Sequence, residues 1–265
     1  MTTTPPKNGW PSGFGANTYT RHLHALTQIL SNRLGVLLAF TAGAINAGGF
    51  VAAGRYSSHM TGILSSTADA LVVGKVGLLV GGLFSLLAFI AGAITSTMQI
   101  SWARRTQLHA EHAWSLVMEA TLLVVAGFYG ELLVDDEQIL VPAIILLLCF
   151  TMGIQNAIIV KISSTEVRTT HMTGIVTDLG IELGRLFYWN RNKDITKTLS
   201  VLADRTKLKV RLQMIVSFLT GAVCGAHAFA SMGFAASILF ATLLYAVALP
   251  AIVLDAQRQI GEKFK

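Results

Sequence analysis

The segment GAINAGGFVAAGRYSSHMTGI, residues 43–63, returns in altered form as GIQNAIIVKISSTEVRTTHMTGI over residues 153–175. Gly43-Ala44-Ile45-Asn46-Ala47 is answered by Gly153-Ile154-Gln155-Asn156-Ala157, 110 residues later. His59-Met60-Thr61-Gly62-Ile63 is answered by His171-Met172-Thr173-Gly174-Ile175, 112 residues later. Two motifs in the same order at nearly one offset mark an internal duplication. Each half is one unit: an apolar helix ending in G-x-x-N-A, a polar HMTGI segment, then two more apolar helices.

The rest of the chain agrees with a membrane location. Of its 265 residues, 53% are apolar and only 13% charged, about half the charge of an ordinary soluble domain. Six apolar runs, 34–54, 76–98, 113–133, 139–160, 210–229 and 232–252, match the ~30 Å hydrocarbon core at 1.5 Å per residue. Two weaker segments, 57–74 and 170–189, carry too many hydroxyl and charged residues to face lipid comfortably. The net charge of +6 does not imply nucleic-acid binding, because the basic residues lie between and beside the apolar runs. Cys149 and Cys224 both fall within apolar runs and are expected to be buried free thiols.

The expected fold is therefore an all-α, polytopic helical membrane protein with two repeats, 33–134 and 139–252, inside a membrane domain spanning 33–250. Residues 1–32 are expected to form a cytoplasmic tail, in which 19–31 are either a short surface helix or a plain linker, and 253–265 a second cytoplasmic tail. If both weak segments span, the chain crosses eight times and the halves are parallel. If both are half-helices, it crosses six times and the halves are inverted. The distribution of Lys and Arg decides between these. With six crossings and an internal N-terminus, only Arg55 and Lys75 of the 20 basic residues fall outside; with eight, Arg55, Arg104, Arg105, Lys161 and Arg168 do. Six crossings with inverted repeats is the preferred arrangement, in the inner (cytoplasmic) membrane.

At these motifs the sequence resembles the YoaK family of bacterial integral membrane proteins, long catalogued as a domain of unknown function. The resemblance rests on Gly43 to Ala47 leading to Met60-Thr61-Gly62, and on Met152 to Ala157 leading to Thr169-Thr170-His171-Met172-Thr173-Gly174. It covers roughly residues 34–250. Asn46 and Ile63 stand where the family commonly has aspartate and asparagine, which weighs against ion coupling at the first motif. The resemblance implies a multi-pass inner-membrane protein of the kind described as a small-molecule transporter, and it names no substrate.

Physical chemistry suggests what the polar residues do. A helix that begins inside the membrane offers free N–H groups and a positive end to a ligand, and two such helices meet near the midplane in many transporters. Thr61, Gly62, Thr173 and Gly174 could form such a site or a small-residue packing seam. Asn46, Gln155 and Asn156 are amides that must find partners within the membrane, in a ligand or in the helix break itself. His59 and His171 hold matching positions as switchable hydrogen-bonding groups or as interfacial residues. Asp69, Asp178 and Glu182 are candidates for proton or ion coupling, although Arg185 shares a helical face with the last two. Glu119, six residues into its run, is expected to reach the cytoplasmic interface.

These features favour a secondary transporter of a small polar or anionic solute, bound between the repeats at Asn46, His59, Thr61, Gly62, Gln155, Asn156, His171, Thr173 and Gly174. A channel is the alternative. A membrane-embedded enzyme using His171, Asp178 and Glu182 is the weaker alternative, since no nucleophile, dinucleotide or metal fingerprint is present. No cofactor, metal or nucleic acid is expected. The partners are solute and lipid, and a homo-oligomer is compatible with the sequence.

Overall fold

A computed structural model describes residues 15–54, 56–108, 110–132, 137–162, 172–188 and 203–263. Among these residues the chain is all helix: α1 (Gly15–Ala53), α2 (Met60–Val73), α3 (Val76–Arg105), α4 (Ala113–Leu132), α5 (Glu137–Ile162), α6 (Met172–Phe187), α7 (Arg205–Met232) and α8 (Ala236–Lys263). A single 3-10 turn, Gly233–Ala235, joins the last two. Five stretches are long and apolar enough to cross a membrane: Asn32–Ala53, Val76–Arg105, Ala113–Glu131, Val141–Lys161 and Arg205–Ile260. The last contains both α7 and α8. With 14 and 16 residues, α2 and α6 reach only about 21 and 24 Å at 1.5 Å per residue, less than the hydrocarbon core.

The helix ends have local causes. Asp204 caps α7 by accepting from the N–H groups of Thr206 and Lys207 at 2.9 and 3.1 Å. Gly74, at φ 76°, ends α2 in the left-handed conformation, and Gly233, at φ 58°, ends α7. Residues 19–31, read as a surface helix or a linker, are helical and continuous with the rest of α1, since no proline separates them from the apolar run. At the other end α8 runs on as helix to Lys263.

The burial pattern is that of a helix bundle in lipid. On α3 the buried positions are Gly82, Ser85, Gly92, Ser96, Ile100 and Ala103. Its large apolar residues, including Phe84, Leu87, Ile90 and Ile94, are exposed. Small residues therefore face the protein and large ones face the acyl chains, because hydrocarbon solvates leucine well and tight contact needs small side chains. Cys149 is buried as expected, whereas Cys224 is exposed on α7. The main core lies among α1, α4, α5 and α8, with Leu38, Leu123, Leu148, Met152 and Leu244 buried in it.

A Phe-x-x-Gly step recurs in four helices, at Phe40–Gly43, Phe89–Gly92, Phe150–Gly153 and Phe218–Gly221, and it organises the bundle. Gly43 lies against the carbonyl of Phe218 and Gly221 against that of Phe40; Gly92 lies against the carbonyl of Phe150 and Gly153 against that of Phe89. A methyl at any of the four would overlap a backbone oxygen, so glycine is what permits the approach. These contacts pack α1 on α7 and α5 on α3.

Contact order gives the direction of each pairing. Along α1 and α7, Gly35 meets Met214, Gly43 meets Phe218 and Gly48 meets Phe229, so the two run parallel. Along α4 and α8, Ala110 N–H donates to Asp255 at the start, Thr121 bonds Tyr245 further on and Gly130 meets Phe234 near the end, so these two are antiparallel. The Phe229 and Phe240 rings stack with centroids 6.4 Å apart. Eleven residues of straight helix would separate them by about 16 Å, so the chain doubles back at Gly233.

Candidate functional site

A cavity of about 380 Å³ opens where α1, α5, α7 and the first turns of α2 and α6 come together. Of the residues expected to bind a solute, Asn46, His59, Thr61, Gln155, Asn156 and Thr173 all line it. Gly62 instead borders a neighbouring cavity of about 360 Å³, Gly174 stands in the first turn of α6, and His171 lies outside the described residues. Tyr56 and His59 line both cavities and so belong to the wall between them. None of the described lining residues is an acid, a lysine or an arginine.

Each polar wall residue is held by a specific bond. Asn46, two turns before the end of α1, accepts from the backbone N–H of Ser58 at 3.0 Å and so fixes the approach to α2. His59 precedes the first turn of α2 and makes no side-chain capping bond. Its ring instead folds back over Gly62, where any side chain would strike the imidazole, and meets Tyr56 edge-on at 6.4 Å. This contact accounts for the glycine three residues after the histidine. Gln155, 2% exposed, donates to Thr41 Oγ1 at 2.7 Å and to the Leu38 carbonyl at 3.3 Å, tying α5 to α1. Asn156 turns its amide nitrogen onto the Met152 carbonyl of its own helix at 2.8 Å.

The two matching asparagines therefore do different work, one bracing a loop and the other bonded along its own helix. Thr61 and Thr173 sit in the first turns of α2 and α6. There the backbone N–H groups that have no acceptor within their own helix and the positive helix ends favour an acceptor or an anion. Residues outside the expected solute-binding set complete the wall: Tyr56, Ser58, Met60, Met152, Met172 and Phe218 among them.

The three candidate coupling carboxylates lie elsewhere. Asp69 is exposed on α2 and lines neither cavity. Asp178 and Glu182 of α6 face Arg211 of α7, which pairs with their side chains at 3.3 Å each and with the Asp178 carbonyl at 3.2 Å. Arg185 adds a 3.1 Å pair to Glu182. The Asp204 backbone N–H, 3.0 Å from Glu182, then Arg185 and Arg211, hold this carboxyl below the usual carboxylate range against the opposing effect of its burial. The cluster locks α6 to the start of α7. Glu119, expected at the interface, is instead fully buried in α4. Neither of its oxygens has a hydrogen-bond partner among the described residues.

Comparison with known proteins places the chain in a context. A family model described as "Protein of unknown function (DUF1275)" matches residues 34–250. The UPF0700 transmembrane protein YoaK of Bacillus subtilis (strain 168) is 28% identical over 167 residues, covering 61% of this chain and 72% of that protein. No solved structure matches the chain.

Proposed function

This chain belongs to the DUF1275 family, and from that premise we propose that it is a secondary transporter for a small polar or anionic solute. The observation that carries the reading is the cavity itself: both HMTGI segments contribute to it, opposite the G-x-x-N-A residues Asn46 and Asn156. Its volume of about 380 Å³ lies in the range of small-ligand pockets, roughly 300–1,000 Å³. Hydroxyls, amides and two helix N-termini give it donors for a solute without a fixed charge on the wall. A wall shared with a second cavity at Tyr56 and His59 supplies the kind of thin partition that alternating access requires.

Six crossings with inverted repeats belong to the same reading. The antiparallel pairing of α4 with α8 supports it, because eight crossings would run those two helices the same way. With six, both termini and the basic 191–211 segment lie in the cytoplasm, as the positive-inside rule asks of an inner-membrane protein. A single cysteine at Glu137, placed in a Cys149→Ala/Cys224→Ala background, should then react with an impermeant maleimide from the periplasmic side. Labelling only after inner-membrane lysis would overturn the inverted arrangement.

The transport reading is tested in proteoliposomes holding the full chain. Preloading with a solute mixture should accelerate entry of the labelled species that is a substrate, because a carrier exchanges faster than it cycles empty. Flux that is large, unsaturable and indifferent to preloading would favour a channel.

A further inference from the structure

Between α1 and α7 lies a second kind of recess, an open furrow of about 820 Å³ that shares no lining residue with the central cavity. Its chemistry changes along its length. Asn32 and Arg33 on α1 and Lys209 on α7 stand at one end. Because the two helices run parallel, depth along one matches depth along the other. Gly35 lies against Met214, so Lys209 stands nearest the mouth, Arg33 is level with Leu212 about one turn deeper, and Val36 is level with the Val216–Ser217 end. From Lys209 to Val216 is about 10 Å of helix. The Ser217 hydroxyl donates to the Val36 carbonyl at 2.7 Å, so the deep end presents mainly hydrocarbon. Arg33 and Lys209 are exposed, and none of the furrow's described lining residues is acidic. Asn32 also begins the apolar stretch of α1, which sets the two cations at the edge of the hydrocarbon.

We propose that this furrow is a binding site for an anionic phospholipid, with the phosphate between Arg33 and Lys209 and an acyl chain along Val36, Leu212 and Val216. Charge complementarity selects the headgroup: two cations with no carboxylate among the furrow's described lining residues favour net negative charge over a zwitterion. The apolar floor selects a lipid over a soluble anion, since an inorganic ion would leave the lower two turns unfilled. Leu212 and Val216 are 51% and 50% exposed, and a chain lying along them would cover that surface.

The test uses the full chain, stripped of lipid in detergent and offered phosphatidylglycerol, phosphatidylcholine or inorganic phosphate. Native mass spectrometry reads lipid retention and the thermal midpoint reads stabilisation. At ~1 kcal/mol per basic residue, the wild type should retain phosphatidylglycerol roughly 30-fold in preference to phosphatidylcholine. Arg33→Gln and Lys209→Gln should each reduce that preference about fivefold, and the double variant should abolish it. Val216→Trp, which keeps both cations and fills the floor, should lower retention of both lipids. An unchanged preference in the double variant would overturn the proposal, as would stabilisation by inorganic phosphate equal to that by phosphatidylglycerol. Should the double variant fail to fold, equal retention of the two lipids by the wild type overturns it, and a strong preference together with the Val216→Trp loss supports it. A stable dimer that excludes lipid from the furrow would also count against it.

Discussion

Replacing Gly92 or Gly153 with valine is expected to break the α3–α5 seam and cost most of the folded protein. The glycines approach the carbonyls of Phe150 and Phe89 so closely that even a methyl would overlap the oxygen. A flexible side chain could yield, but a carbonyl held in a helix yields only if the whole helix shifts. Overpacking costs typically 1–3 kcal/mol, and a backbone obstacle puts these sites at the upper end, about 3 kcal/mol. That corresponds to a fall of roughly 6–12 °C in Tm for a chain of this size. Gly43→Val and Gly221→Val should behave alike on the α1–α7 seam, because the same reciprocal contact recurs there. Gly180 and Gly184 of α6 provide the control, since among the described residues a methyl at either meets nothing within 4 Å. Alanine at those two positions should be neutral or stabilising by about 0.5–1 kcal/mol through helix propensity. Thermal unfolding of the six variants in one detergent checks the contrast. Equal behaviour of Gly92→Val and Gly180→Ala would mean that close backbone packing does not hold the bundle together.

How far these features were legible in the sequence depends on the physics behind each. Apolar runs announced the spanning helices because hydrocarbon excludes charge, yet they mark what lies in lipid and not where a helix stops. Asp204 and Gly233 set the ends of α7, and the apolar run at 210–229 says nothing of either. The HMTGI and G-x-x-N-A motifs led directly to Asn46, Thr61, Asn156 and Thr173 because both motifs recur in the same order along the chain. Phe218 and Tyr56 line the same cavity without repeating in register with it, and only the packing reveals them. The Phe-x-x-Gly step was present four times, but among 13 phenylalanines and 24 glycines so short a pattern carries little weight. Its meaning lies in which helix faces which, and a helix that is apolar all round does not declare its inner face. The same blindness placed Glu119 at the interface. The cluster of Asp178, Glu182 and Arg211 was half visible: Arg185 is on the same helix, whereas Arg211 comes from α7, beyond the 191–200 stretch.

Removing one hydroxyl and one amide from the central cavity should nearly silence transport while sparing the fold. Thr173→Val keeps the shape of the side chain in the first turn of α6 and deletes only its oxygen. Asn156→Ala deletes an amide whose partner among the described residues is the Met152 carbonyl of its own helix, so no described hydrogen bond between helices is lost. Each hydrogen bond to an uncharged solute is worth about 0.5–1.5 kcal/mol, and about twice that if the solute is an anion. The two changes together should therefore lower counterflow by roughly tenfold for a neutral solute and by a hundredfold or more for an anion, with Tm nearly unchanged. Asn46→Ala is the instructive contrast. Its oxygen holds the Ser58 N–H at the approach to α2, so this variant should lose stability as well as flux. Gln155→Leu should do the same, because the amide joins α5 to α1 through Thr41 and Leu38. Two classes of variant are thus expected around one cavity, one that lowers flux alone and one that lowers flux and Tm together. Thr61→Val belongs to the first class if both α2 and α6 serve the solute, and measuring it beside Thr173→Val tests whether the two HMTGI segments share the site. Wild-type flux in both Thr173→Val and Asn156→Ala would return these residues to packing and leave the cavity without a binding role.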